Sequence, residues 1–170
     1  MENKMKDVVV DKVTLNIGIG KSGQELENAK TLLERLSGAK AVPTHAKSRN
    51  PVFKIKKGDV IGTKATLRGP MAIEFVKKAL KVKAFTLPSR SFDKEGNFSF
   101  GVPEYIEFPG AKYDPQIGMM GFDVCITLRR RGYRVVRRRR GKSHIGKSHR
   151  LTKEDGMEFA KGAFALSIQE

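Results

Sequence analysis

Residues 141–148 read Gly-Lys-Ser-His-Ile-Gly-Lys-Ser and match the phosphate-cradling pattern G-x-x-x-x-G-K-[ST] letter for letter. The chemistry of such a loop is nucleoside triphosphate binding. Backbone N–H groups and a lysine converge on phosphate, provided that an apolar strand enters the loop and a helix starts at the lysine. Neither neighbour is present: an arginine run precedes Gly141, the next helix signal waits until Thr152, and no apolar strand ending in Asp follows to hold magnesium. A basic Gly-Ser loop can instead lie along a polyanion and use the same groups without catalysis. A second pattern, Gly18-Ile19-Gly20-Lys21-Ser22-Gly23, fits G-x-G-x-x-G between a strand and a helix. The acidic residue expected about 20 positions on is missing, since nothing acidic lies between Glu34 and Asp59. It reads as a tight strand-to-helix turn whose glycines permit close approach to the backbone.

Other catalytic groupings are sparse. His45, His144 and His149 are the only histidines and Cys125 the only cysteine, so a zinc site lacks partners and no internal disulfide is possible. No serine or cysteine has an evident base, and the few carboxylates fall mostly on helix surfaces. An enzyme is the less expected class, and neither a cofactor nor a metal is implied.

The chemistry concentrates instead in charge. Residues 129–150 carry Arg129, Arg130, Arg131, Arg134, Arg137, Arg138, Arg139, Arg140, Lys142, Lys147 and Arg150 with no acidic residue among them, a third of the 34 Lys and Arg in 22 residues. A short basic run is ordinarily a solvated face. This one is too dense in arginine to fold on itself without repulsion, and guanidinium forks match phosphate oxygens two bonds at a time. A polyanion is expected to relieve that repulsion. Val135 and Val136 are the only adjacent apolar pair within it, so the segment is expected either to form a short hairpin arm or to order only on its partner.

The whole chain agrees. A formal net charge of +16 on 170 residues exceeds what solubility needs and points to nucleic acid or an acidic membrane surface. No stretch approaches the roughly 20 apolar residues of a membrane span, and the first seven residues lack a signal-peptide core, so a cytosolic protein is expected. The length suits one domain, 1–170, carrying the basic insertion at about 129–150.

Period-2 alternation predicts strands over 7–19, 60–68 and 121–129, with Val9, Val13, Leu15, Ile17 and Ile19 on one face of the first. A short strand is expected at 41–44 and another at Phe98 and Phe100. Helical spacing appears at 25–36, closed by Gly38, and in the stretch opened by Pro70 with Ala72, Phe75, Val76, Ala79 and Leu80 inward. A third helix follows the capping signal Thr152-Lys153-Glu154-Asp155, with Phe159, Ala160, Ala163 and Phe164 as its stripe. Residues 45–51 read as the basic tip of a projecting hairpin-like loop, and the irregular, proline-rich 82–120 is expected to pack its Phe and Tyr on the core edge. The polar strand positions, Lys12, Thr14, Asn16, Lys54, Lys56, Lys64, Thr66, Arg68, Thr127 and Arg129, imply an α+β fold. Its mostly antiparallel sheet has helices on one face and an open, basic opposite face.

With these residues in view, the runs 13–18 (VTLNIG), 54–62 (KIKKGDVIG) through Leu67-Arg68-Gly69, and 91–97 (SFDKEGN) into Ile106-Glu107-Phe108-Pro109 resemble the ribosomal protein L5 family of the large subunit, over nearly the whole chain. The basic insertion and short N-terminus resemble the archaeal and eukaryotic branch. The resemblance implies a binder of 5S rRNA and larger rRNA in the central protuberance, and implies contacts through Thr14, Asn16, Thr44, Lys64, Thr66 and Arg68. It further implies that the loop with Lys47, Ser48, Arg49 and Asn50 reaches P-site tRNA, and that a small-subunit protein is touched across an intersubunit bridge.

Overall fold

Strand β1 (Val8–Gly18) forms because β-branched and apolar residues alternate with short polar ones, and it runs through the centre of the molecule hydrogen-bonded on both sides. The computed structural model describes residues 3–20 and 23–169. Helix α1 (Gln24–Ser37) follows and ends where Gly38 takes the left-handed conformation, its N–H donating to the Glu34 carbonyl. Edge strand β2 (Val42–His45), strand β3 (Val60–Leu67), helix α2 (Pro70–Val82) and the three-residue β4 (Thr86–Pro88) come next. Strands β5 (Phe98–Val102) and β6 (Phe122–Arg130) complete a five-stranded antiparallel sheet of order β2-β3-β1-β6-β5. A single turn, α3 (Arg134–Arg137), then helix α4 (Lys153–Phe164) and β7 (Ser167–Gln169) close the chain.

One face of the sheet carries the core. Val13, Leu15, Ala65, Leu67, Val124, Ile126 and Leu128 lie buried beneath Leu32 and Leu33 of α1, Phe75, Val76 and Leu80 of α2, and Ala160 and Phe164 of α4. The expected inward stripe of α2 is therefore the observed one. The irregular stretch does pack aromatics on the core edge. Phe108 stacks on Phe75 at 4.8 Å and Phe92 on Phe98 at 5.1 Å, while the buried Tyr105 hydroxyl accepts the Asp114 N–H at 2.9 Å. Tyr113 alone of its Phe and Tyr side chains stays well exposed.

Several expectations are corrected. Asp11 is the extra residue of a β-bulge, between the pairs Val10–Leu128 and Lys12–Thr127. The bulge shifts the alternation by one, so Val8 and Val10 join the core and Val9 faces the opposite side. Lys54 and Lys56 lie outside the sheet, in the projecting loop, because β3 starts only at Val60 and Lys54 sits at φ 56° in a turn. Ala163 is exposed and Gly156 takes the inward place. The basic segment folds back as an arm whose single turn α3 is tied to Asp11 through Arg137, while the long helices α1, α2 and α4 share one side of the sheet as expected. Part of its repulsion is relieved internally, by Asp11 and Asp155. The pairing of β4 with β7, parallel and three residues long, has no period-2 signal in sequence. Of the G-x-G-x-x-G reading, Lys21 and Ser22 lie outside the described residues; Ile19 and Gly20 donate their N–H groups to the Ile61 carbonyl.

Helix α4 starts with the reciprocal cap the sequence implies, the Thr152 hydroxyl accepting from Asp155 N–H while the Asp155 carboxylate accepts from Thr152 N–H at 3.0 Å. Gly156 then brings the helix backbone against that of Gly96, where an added Cβ would overlap main-chain atoms. Gly162 in the same helix has nothing within 4 Å. Chemical denaturation should therefore show Gly156→Ala destabilised by about 1–3 kcal/mol through overpacking. Gly162→Ala should be stabilised by roughly 0.5–1 kcal/mol, since alanine favours helix. Equal shifts would show that the Gly96 approach does not constrain the fold.

Candidate nucleic-acid interface

The uncovered sheet face is built from alternate residues of four strands. Cross-strand pairing sets Thr66, Thr14, Cys125 and Ser99 in one row and Lys64, Asn16, Asp123 and Gly101 in the next. Val42 continues the second row beside Lys64, and Thr44 faces Gly62 at the edge. Thr14, Asn16, Thr44, Lys64 and Thr66, singled out from sequence, are thus brought together. Thr14, Asn16 and Thr44 are half-buried, whereas Lys64 and Thr66 stand exposed. Ser99, Asp123 and Cys125 share the face; the alternation of β5 and β6 carried that signal. Burial and the nearby Asp123 charge push the Cys125 thiol up, which keeps it a neutral surface group.

At one end of this face lies Asp11, the one buried charged residue among those described, with its side chain 2% exposed. Arg137 grips it through both terminal nitrogens, at 3.0 and 2.5 Å. Arg129 approaches at 2.8 Å through Nε and Arg68 at 3.8 Å. The Arg137 hydrogen bonds hold the Asp11 carboxyl below its ordinary range against the opposing effect of burial, and the charges of Arg129 and Arg68 add to this. Sequence reading passed over Asp11. The available signal was the slip in phase between Val8, Val10 and Val13.

Beyond Gly132 the arm folds back. Ser143 donates its N–H to the Val135 carbonyl at 3.3 Å, Arg138 Nε donates to the Gly141 carbonyl at 2.6 Å, and His149 Nε2 lies 2.8 Å from the Arg131 carbonyl. Arg130 reaches both the Ser148 carbonyl, at 3.3 Å, and Asp155, at 3.0 Å. Burial raises the Asp155 pKa, but hydrogen bonds from Thr152 and the Arg130 charge outweigh it and leave the carboxyl lowered. Arg131, Arg134, Arg138, Arg139, Arg140, Lys142, Lys147 and Arg150 remain exposed, and none is paired with a carboxylate among the described residues. The phosphate-loop lettering at 141–148 lies in irregular chain ending in one 3₁₀ turn, Lys147–His149, so no helix aims its N–H groups at a ligand.

The projecting loop is a closed hairpin. Asn50 and Ile55 exchange backbone bonds at 2.9 and 3.0 Å, and Ala46 exchanges them with Asp59 and Gly58. Asn50 Oδ1 accepts the Val52 N–H at 3.1 Å, so this side chain shapes the turn. Lys47, Ser48 and Arg49 are exposed beside Val52 and Phe53, which are 84% and 70% accessible at the tip. Among the described residues no three His, Cys, Asp or Glu cluster to hold a metal, and no helix is long and apolar enough to cross a membrane.

Comparison with known proteins converges on one family. Residues 3–56 match the family described as "Ribosomal protein L5", and residues 60–159 match the model of the same family's C-terminus. The chain is 48% identical over 169 residues to "Large ribosomal subunit protein uL5" of Sulfolobus acidocaldarius, covering 99% of this chain and 95% of that one. It is 52% identical over 154 residues to the protein of the same name from Archaeoglobus fulgidus, covering 91% and 86%. It is 46% identical over 167 residues to that of Methanococcus maripaludis, covering 96% and 92%.

Because its pKa is lowered on folding, Asp11 contributes stability that is fully present above its unfolded value of about 3.9 and is lost as pH falls through the folded value. The wild-type melting temperature should therefore drop more steeply on acidification below about pH 4 than that of Asp11→Asn. At neutral pH Asp11→Asn should cost about 1–3 kcal/mol, less than a fully buried pair because its arginines are a third to more than half exposed. Parallel melting curves for the two proteins would show that Asp11 is not ionised in the cluster.

Proposed function

Because the chain belongs to the ribosomal protein L5 family, in its archaeal-type branch, we propose that its open sheet face binds 5S rRNA in the central protuberance while the arm engages larger rRNA. The protein is a structural constituent of the large ribosomal subunit, working in the cytoplasm as part of the ribosome, and is not an enzyme. The observation that carries the finer reading is the uncovered row of Thr14, Thr66, Asn16 and Lys64. Hydroxyl, amide and ammonium groups stand side by side there with no described element packed over them, and these groups suit ribose hydroxyls, base edges and phosphate.

Arg68 at the end of the face and the exposed arm cations supply the sequence-independent part of the affinity. The closed hairpin with Lys47, Ser48 and Arg49 at its flank is the element we assign to P-site tRNA, with Asn50 shaping its turn. A small-subunit bridge partner is part of the same proposal. We take residues 1–170 as one RNA-binding unit, because β1 and β2 from the first half share a sheet and a core with β3, β5 and β6 from the second. A phosphotransferase has no strand–loop–helix to work with at 141–148, and ATP with magnesium should leave the melting temperature unchanged.

Filter binding tests the face. Asn16→Ala and Thr66→Ala should each weaken 5S rRNA binding about three- to tenfold, the worth of one or two hydrogen bonds, with the fold intact. Unchanged affinity would remove the sheet face from the interface, and duplex DNA competing as well as 5S rRNA would favour general DNA compaction. With 6 to 10 phosphates engaged, affinity should fall by about 10³ to 10⁵ between 50 and 200 mM salt. The double substitution Arg139→Gln with Arg140→Gln should weaken binding of the larger rRNA and lower its salt slope by roughly 1.5–2, while sparing isolated 5S rRNA. Equal loss for both RNAs would refute the division of labour.

A further inference from the structure

Between the folded arm and the sheet lies a cavity of about 550 Å³ that the open-face reading does not use. It is bounded by the end of β6, by the 94–97 turn and by the arm from Tyr133 to Leu151. Its wall combines two chemistries. Tyr133, Val136 and Ile145 give it an aromatic and aliphatic lining, whereas Lys94, Arg129 and Arg150 bring positive charge.

Two of those charges are not satisfied within the described residues. Arg150 and Lys94 have no carboxylate partner, whereas Arg129 is paired with Asp11 at 2.8 Å. Unpaired cations around a concave, partly apolar space call for an anion that also carries apolar faces. Inorganic phosphate would leave the Tyr133 and Ile145 wall empty, and a purely apolar ligand would leave the cations unanswered. A duplex is far too wide for the space, but a single nucleotide is of the right order for a cavity this size.

We propose that this cavity receives one unstacked nucleotide of rRNA, its base against the Tyr133–Ile145 wall and its phosphate on Arg150 and Lys94. Single-stranded bases splayed from loops and bulges are what proteins most readily read in RNA, by stacking on planar side chains and pairing their phosphates with cations. Asp11 prepares the site from behind, since it fixes Arg129 and Arg137 and through them the arm that forms the outer wall. Glu95 is the one acid on the lining and offers an acceptor to an exocyclic base amine. The letters of the phosphate-loop pattern acquire a different use: His144 and Ile145 line the cavity by side chain, with no helix dipole involved. The proposal rests on the rRNA-binding reading above and adds to it a defined, nucleotide-sized contact.

Two variants test it against deproteinised large-subunit rRNA and 5S rRNA, with ultraviolet cross-links mapped by peptide mass. Ile145→Trp fills the cavity without changing charge and should lower affinity for one of these RNAs about tenfold, the scale of one stacked base. Arg150→Gln should weaken the same RNA more than Arg139→Gln, which removes a cation outside the cavity. In the wild type, a peptide containing Tyr133 or Ile145 should carry a cross-linked nucleotide. Should Ile145→Trp fail to fold, Arg150→Gln decides, because that side chain has no partner among the described residues to lose. Wild-type binding that both variants retain, or equal loss from Arg150→Gln and Arg139→Gln, would overturn the proposal and leave the rRNA reading standing. Release of the RNA by millimolar adenosine monophosphate would also overturn it, making the cavity a free-nucleotide site. A wild type that ignores both RNAs would instead sink the rRNA reading itself.

Discussion

One buried carboxylate organises the charge of this molecule. A chain with a formal net charge of +16 cannot gather arginines on its own surface unless something offsets their repulsion, and Asp11 does so from inside the sheet. The bulge in β1 turns this residue toward the open face at the point where Arg68 of the β3–α2 junction, Arg129 of β6 and Arg137 of the arm converge. A carboxylate taken out of water is costly when alone, and three guanidinium groups with a bidentate bond make it favourable. The cations fall into two populations as a result. Arg129, Arg130 and Arg137 face an acid and hold the arm down, with Arg68 beside them on Asp11, whereas the arm's remaining arginines and lysines are left outward for a polyanion.

The same arrangement explains how an arm so rich in arginine packs against the sheet. Asp11 holds it near its middle and Asp155 near its root, through Arg130. Asp155 is also the N3 residue of the α4 capping box, so the helix start and the arm's attachment share one side chain. Weakening that carboxylate would loosen both. From Tyr133 to Leu151 the arm borders the end of the sheet and forms one wall of the cavity lined by Tyr133 and Ile145. Electrostatics thus shapes an apolar space, because the charged pairs decide where the arm's few aliphatic residues come to rest.

The sheet is asymmetric for simpler reasons. Helices α1, α2 and α4 bury one face under leucine, valine and phenylalanine, and the aromatics of the irregular 89–120 stretch close its edge. The opposite face presents Thr, Asn, Ser and Lys side chains that gain nothing from burial and need no cover in an antiparallel sheet. A broad polar surface set between projecting basic elements is what structured RNA, with its phosphates and ribose hydroxyls, can occupy.

How much of this was legible follows from the range of the interaction concerned. The alternation of Phe122, Val124, Ile126 and Leu128 and the helical spacing of Ala72, Phe75, Val76, Ala79 and Leu80 are local patterns. They determined the main strands, the three long helices, the core and the polar face of Thr14, Asn16, Lys64 and Thr66 before any fold was known. A one-residue slip in β1 could not be resolved that way, and it misplaced Val9 and hid Asp11. Only the tertiary structure could bring Arg137 to an acid 126 positions away, pair β4 with β7, put Lys54 in a loop rather than a strand, or turn Gly156 rather than Ala163 inward against Gly96. These depend on which distant backbone or charge comes within reach, and no periodicity in the chain encodes that.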